Sequence, residues 1–102
     1  MQSRRFPRYP IDRPINATVY WEDHPIRKIH GRGFMIGQGG VGVRLTDALY
    51  IGEIVKLEIP PMLAIYAAVR NNRGTEHGFE FLYSRDGQRR AVQQLCAIEE
   101  KK

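Results

Sequence analysis

The sequence predicts an all-β fold with a C-terminal helix: a small six-stranded antiparallel β-barrel closed by one α-helix. Three observations carry this expectation. Glycine and proline interrupt the chain at short intervals from Pro14 to Gly78, so the apolar segments between them are of strand length. Within those segments apolar residues tend to recur at every second position, the period that presents one strand face to a core. Beyond Tyr83 the period changes, and Val92, Leu95, Cys96 and Glu99 follow helical spacing with Ala91 and Ile98 flanking the stripe.

The elements follow in order. A first strand is predicted over Ile15 to Trp21, ended by the polar cluster Glu22-Asp23-His24-Pro25. A second covers Ile29 to Ile36. The run Gly37-Gln38-Gly39-Gly40 then supplies residues free to take unusual backbone angles, and a third strand leaves it with Val41, Val43 and Leu45 on one face. Glu53 to Ile59 alternates again and ends at Pro60-Pro61, because proline has no N–H to give a ladder. Ile65 to Val69 and Gly78 to Tyr83 complete the six, joined through Asn71-Asn72-Arg73-Gly74, a run of turn formers. A helix is predicted from Asp86 to Glu100, its stripe lying across one opening of the barrel. Ser84 or Asp86 is placed to cap its start, and Lys101 and Lys102 sit at its negative end.

Composition narrows the function classes. A chain of 102 residues, 42% of them hydrophobic, is sized for one domain with a modest core. Its single cysteine, Cys96, excludes an internal disulfide framework and reads as a buried thiol on the helix stripe, which fits a reducing cytoplasm. One thiol with three scattered histidines gives no zinc spacing, so no metal is expected. No apolar run reaches the length that spans a bilayer, and no hydrophobic stretch follows the first arginines as in a secretory signal. Neither a nucleophile set nor an acid/base pair stands at motif spacing, so no catalytic residue is expected. The formal net charge of +5 favours an anionic partner.

The most concentrated positive charge is Arg4-Arg5-Phe6-Pro7-Arg8. Pro7 and Pro10 bias their neighbours toward extended conformations, so residues 1–13 read as a semi-rigid basic arm ahead of a barrel at 14–102. Arginine suits phosphate and guanine because its planar fork donates paired hydrogen bonds and its face stacks on rings.

An arginine arm, a small barrel, a glycine turn after the second strand and a closing Gly78-Phe79-Glu80-Phe81 strand with its helix together resemble the PilZ domain family. The resemblance spans nearly the whole chain. It implies a bacterial receptor for cyclic di-GMP whose site joins an RxxxR motif to a turn of the form Asp or Asn, any residue, Ser, two residues, Gly. Arg4 and Arg8 meet the first motif, with Arg5 as an additional arginine. Met35-Ile36-Gly37-Gln38-Gly39-Gly40 aligns with the second: Gly40 fills the last position, but Met35 stands where the acid or amide belongs and Gly37 where the serine belongs. The nucleotide-binding residues implied are Arg4, Arg5, Arg8, Gly37, Gly39 and Gly40.

Three functional readings follow. The first is a single-domain receptor in which cyclic di-GMP draws the arm onto the barrel and a downstream protein reads the new surface. The second, motivated by Met35 and Gly37, is a degenerate PilZ protein that binds the nucleotide weakly or not at all and acts as a protein-interaction adaptor. The third is a basic barrel for single-stranded nucleic acid, ranked below the other two. Arg44 and Arg70 read as solvent-facing strand residues, and His24, His30 and His77 as surface or strand residues. Met35 reads as a packing or rim residue, and Trp21, Phe34, Tyr66, Phe79 and Phe81 as mostly core candidates.

Overall fold

The computed structural model describes residues 7–61 and 63–102. It contains β1 (Arg8–Trp21), β2 (His24–Gly37), β3 (Gly40–Leu45), β4 (Ile54–Ile59), β5 (Leu63–Arg73), β6 (Glu76–Leu82) and α1 (Asp86–Glu100). The strands close into one antiparallel barrel in the order β1-β2-β3-β6-β5-β4, with β4 returning to β1. The predicted six-stranded barrel with a C-terminal helix is therefore the observed fold.

Strand bounds differ from expectation in three places. β1 begins at Arg8, seven residues before Ile15, so residues 8–13 belong to the ladder with β2. Pro10 and Asp12 obscure the alternation there, and a register shift between Pro10 and Arg13 breaks its period. His24 and Pro25 also lie in a strand; only Glu22 and Asp23 turn, with φ of 48° and 67°, as a two-residue hairpin connection requires. β5 runs on through Asn71, Asn72 and Arg73, leaving Gly74, at φ of 65°, and Thr75 as the turn.

A closed barrel has two open ends, and each is plugged. At one end α1 buries Val92, Leu95 and Cys96 against the core. Glu99 shares this buried face, and its carboxylate accepts a hydrogen bond from Arg13 Nε of β1 at 2.8 Å, with Lys102 Nζ at 3.3 Å on its other oxygen. Tyr9 of β1 donates its hydroxyl to Glu100 at 2.9 Å. The helix start is capped by neither Ser84 nor Asp86. Gln88 Oε1 instead reaches back to the N–H groups of Ser84 and Arg85, at 2.9 and 3.3 Å, satisfying donors that no helical carbonyl can reach.

At the other end the connection from β3 to β4 crosses the opening with Leu49 buried beneath it. Leu49 N–H donates to His77 Nε2 at 2.9 Å, its carbonyl accepts from Asn72 Nδ2 at 2.6 Å, and His77 Nδ1 faces the Thr75 carbonyl at 2.8 Å. A carbonyl only accepts, so in this arrangement Nδ1 donates to Thr75 while Nε2 accepts from Leu49 N–H. The expected surface or strand histidine is thus a strand residue buried beneath this loop, holding its backbone. The aromatic expectation divides: Phe79 and Phe81 are core, whereas Trp21 is 66% exposed and Tyr66 45%.

Burial of Glu99 by itself raises its pKa, yet the hydrogen bonds and charges of Arg13 and Lys102 together bring it below the ordinary 4.5. Its folded-state pKa is therefore depressed, so its contribution to stability is complete above pH 4.5 and is lost as pH falls through the lowered value. Urea unfolding followed across acidic pH should show this loss, and Glu99→Gln should remove that component of the pH dependence. Arg13→Ala should cost about 2 kcal/mol at neutral pH, less than a fully orphaned buried charge because Lys102 still reaches Glu99.

Candidate ligand-binding site

The glycine turn and the start of β1 meet at the helix-covered end. Arg8 is the Cα partner of Gly37, Tyr9 of Ile36 and Pro10 of Met35, so the ladder itself sets the second arginine of the RxxxR motif beside the turn. A β-carbon on Gly37 would lie 2.9 Å from the Pro7 carbonyl oxygen and 3.4 Å from Arg8 Cγ. Glycine is needed there for close backbone approach. Arg8 is exposed, and among the described residues it has no carboxylate within ion-pair distance. Arg4 and Arg5 lie outside the described residues.

The remaining turn positions serve the barrel. A side chain on Gly40 would run into the Phe79 carbonyl, so Gly40 permits the β3–β6 pairing. The Gly39 carbonyl accepts from Phe81 N–H at 3.0 Å. Met35 is half-buried, with Pro10 and Gly42 as its strand partners, while adjacent Ile36 is in the core. Met35 therefore lies on the outer wall. Phe34 folds over the bare Gly42 backbone and carries Arg44 4.8 Å above its ring centre.

The turn has a second neighbour that sequence reasoning did not place there. The Tyr83 hydroxyl donates to the Gln38 carbonyl, and Arg89 of α1 stacks on the Tyr83 ring with its guanidinium carbon 4.3 Å from the centroid. Burial of Tyr83 raises its pKa against the opposing charge of Arg89, so the phenol stays protonated as a donor. No short-range signal links Tyr83 to Gln38, 45 residues earlier; only barrel closure brings them together.

Charge on the barrel wall is largely compensated. Arg27 pairs with Asp47, Arg32 with Asp12, Arg44 with Glu76, and Arg70 with Glu80. Arg44 and Arg70 are thus solvent-facing partners of carboxylates, and among the described residues this wall offers no continuous basic track for a nucleic-acid backbone.

Residues 2–97 match the family model of the PilZ domain. The chain belongs to the PilZ domain family. PilZ domains are a family of cyclic di-GMP receptors and act by binding rather than as enzymes. No curated protein sequence matches this chain. Among solved structures, it is similar to the PilZ domain with c-di-GMP of YcgR from Escherichia coli, at 18% identity and TM-score 0.79, covering 98% of this chain and 93% of that one. The PilZ domain of CeSA from a cellulose-synthesizing bacterium gives 18% identity and TM-score 0.73, covering 91% and 97%. The Bacillus subtilis inhibitor of motility, MotI/DgrA, gives 21% identity and TM-score 0.72, covering 99% of this chain and 52% of that protein. At these identities the likeness to each structure is one of fold. No helix among the described residues of this PilZ domain is long and apolar enough to cross a membrane.

The Pro7 contact generates a prediction for the missing serine. Gly37→Ser and Gly37→Ala should both force β1 away from the turn, costing about 1 kcal/mol in a denaturant titration. Both should also raise amide hydrogen exchange at the start of β1. Equal effects of serine and alanine would identify the β-carbon as the cause, whereas exchange unchanged in both variants would show that β1 accommodates it.

Proposed function

We propose that this PilZ domain is a cytoplasmic receptor that binds cyclic di-GMP between its arginine arm and its glycine turn. The arm supplies Arg4, Arg5 and Arg8, and the turn supplies backbone at Gly37, Gly39 and Gly40. The carrying observation is the pairing of Arg8 with Gly37, which seats an uncompensated guanidinium beside the turn. Cyclic di-GMP suits such a site. Its phosphates accept charge-assisted hydrogen bonds, and guanine O6 and N7 match the arginine fork. Binding draws the arginines ahead of β1 onto the ligand beside Arg8, and a downstream protein reads the altered surface.

Met35 and Gly37 favour a second reading, a PilZ adaptor that has lost most of its nucleotide affinity. The Pro7 carbonyl lies 2.9 Å from where a serine β-carbon would stand, and Met35 presents no acid or amide. Two absent polar contacts, at about 1 kcal/mol each, weaken binding by roughly 30-fold. The structural likeness to a protein named as an inhibitor of motility supports a role in protein interaction.

Calorimetric titration with cyclic di-GMP separates the two. The receptor reading expects saturable heat with a dissociation constant in the micromolar range, and Arg8→Ala lowering affinity at least tenfold. Absence of heat at several hundred micromolar ligand, with a PilZ domain carrying both complete motifs as positive control, sinks the receptor reading and leaves the adaptor.

A further inference from the structure

Building on the receptor reading above, we propose that Arg89 of α1 is a second cationic ligand contact, facing Arg8 across the glycine turn and replacing side-chain contacts that Met35 and Gly37 cannot make. Its position is fixed through Tyr83. The guanidinium lies 4.3 Å from the ring centre, and the same ring's hydroxyl is bonded to the Gln38 carbonyl, so one phenol separates Arg89 from the turn.

Arg89 shares a side of α1 with a residue that meets the start of β1. Glu100 lies about three turns further along on nearly the same side of α1, and its carboxylate accepts from Tyr9, the residue after Arg8. At Glu100, roughly 16 Å along the axis from Arg89, that side of the helix meets the start of β1. Arg90 lies about 100° further round and points away from it.

Availability distinguishes Arg89 from the wall arginines. Arg13, Arg27, Arg32, Arg44 and Arg70 each have a carboxylate partner, whereas Arg89 has none among the described residues. Residues 1–6 and 62 contain no Asp or Glu to supply one. Among the described residues its guanidinium has no hydrogen-bond or ion-pair partner and stacks on the Tyr83 face, which leaves the in-plane N–H groups free to donate. A planar fork held against a ring loses little freedom when it binds, which favours paired hydrogen bonds to a phosphate or to guanine O6 and N7.

The ligand's chemistry fits contact from two sides. Cyclic di-GMP carries two phosphates and two guanines, so one group can lie against Arg8 while another meets Arg89. The Tyr83 hydroxyl occupies the Gln38 carbonyl, leaving the turn to offer backbone N–H groups between the two arginines.

Calorimetric titrations of the full chain with cyclic di-GMP test this for wild type, Arg8→Ala, Arg89→Ala, Arg89→Lys and Arg90→Ala, with thermal melts confirming the fold of each. Arg89→Ala should weaken binding roughly 10- to 100-fold. Arg89→Lys should recover little of that loss, because an ammonium has no planar fork to stack or to pair. Arg90→Ala, which removes the same charge from the neighbouring position, should change affinity by less than about threefold. Should Arg89→Ala lower the melting temperature, the comparison of Arg89→Lys with Arg90→Ala carries the test. If Arg8→Ala weakens binding while both Arg89 variants match Arg90→Ala, Arg89 only packs on Tyr83 and this inference fails with the receptor reading intact. If wild type binds no cyclic di-GMP, the receptor reading fails and takes this inference with it.

Discussion

Closing a six-stranded sheet on itself gives every strand a neighbour on both sides, but it leaves two ends through which water can reach the core. The remainder of the chain is arranged around that constraint. One end receives α1, whose burial brings a carboxylate inward and so requires Arg13 to accompany it. The other receives a loop whose buried backbone must find partners, and His77 and Asn72 provide them. Both plugs are apolar in substance and fixed by polar bonds reaching across the chain. The helix-side bond to Glu99 starts on the strand that also carries Arg8, so the plug, the start of β1 and the glycine turn are parts of one end of the molecule.

Much of the fold was legible in the sequence because its signals are local. The change of period after Tyr83 placed α1 at Asp86–Glu100, and alternation with flanking glycines or prolines located every strand. The misreadings share a cause: each turned on what stands opposite the residue in the barrel rather than on the residue's own type. Residues 8–13 carry two prolines' worth of breaker signal around them, yet β2 supplies a ladder that keeps them extended. Asn71 and Asn72 are turn formers by propensity, but pairing with Gly78 and His77 holds them in β5. Trp21 is apolar by type and stands at the tip of a hairpin, where no facing layer exists to cover it.

The candidate site was half legible. Arg8, Gly37, Gly39 and Gly40 were named from motif order, and the ladder brings Arg8 and Gly37 together. Their individual roles came only from the structure: Gly40 admits the Phe79 carbonyl and Gly37 admits that of Pro7, while the Gly39 carbonyl is committed to Phe81. Tyr83 and Arg89 escaped notice because their nearness to Gln38 is a product of closure. Charge tells the same story. The composition reports a net +5, but the wall arginines are largely neutralised by neighbouring carboxylates, which composition cannot reveal.

The close approach of Pro7 to Gly37 bears on which side chains the site can take. A serine at position 37 and the present path of β1 are in conflict, because the side chain's first carbon and the Pro7 carbonyl oxygen would lie only 2.9 Å apart. The two features are therefore coupled, and serine at position 37 is not a neutral substitution on the present path of β1. Changes at Pro7 or its neighbours that loosen the strand would lower its cost. A contact between two backbone segments thus makes the cost of one substitution depend on another.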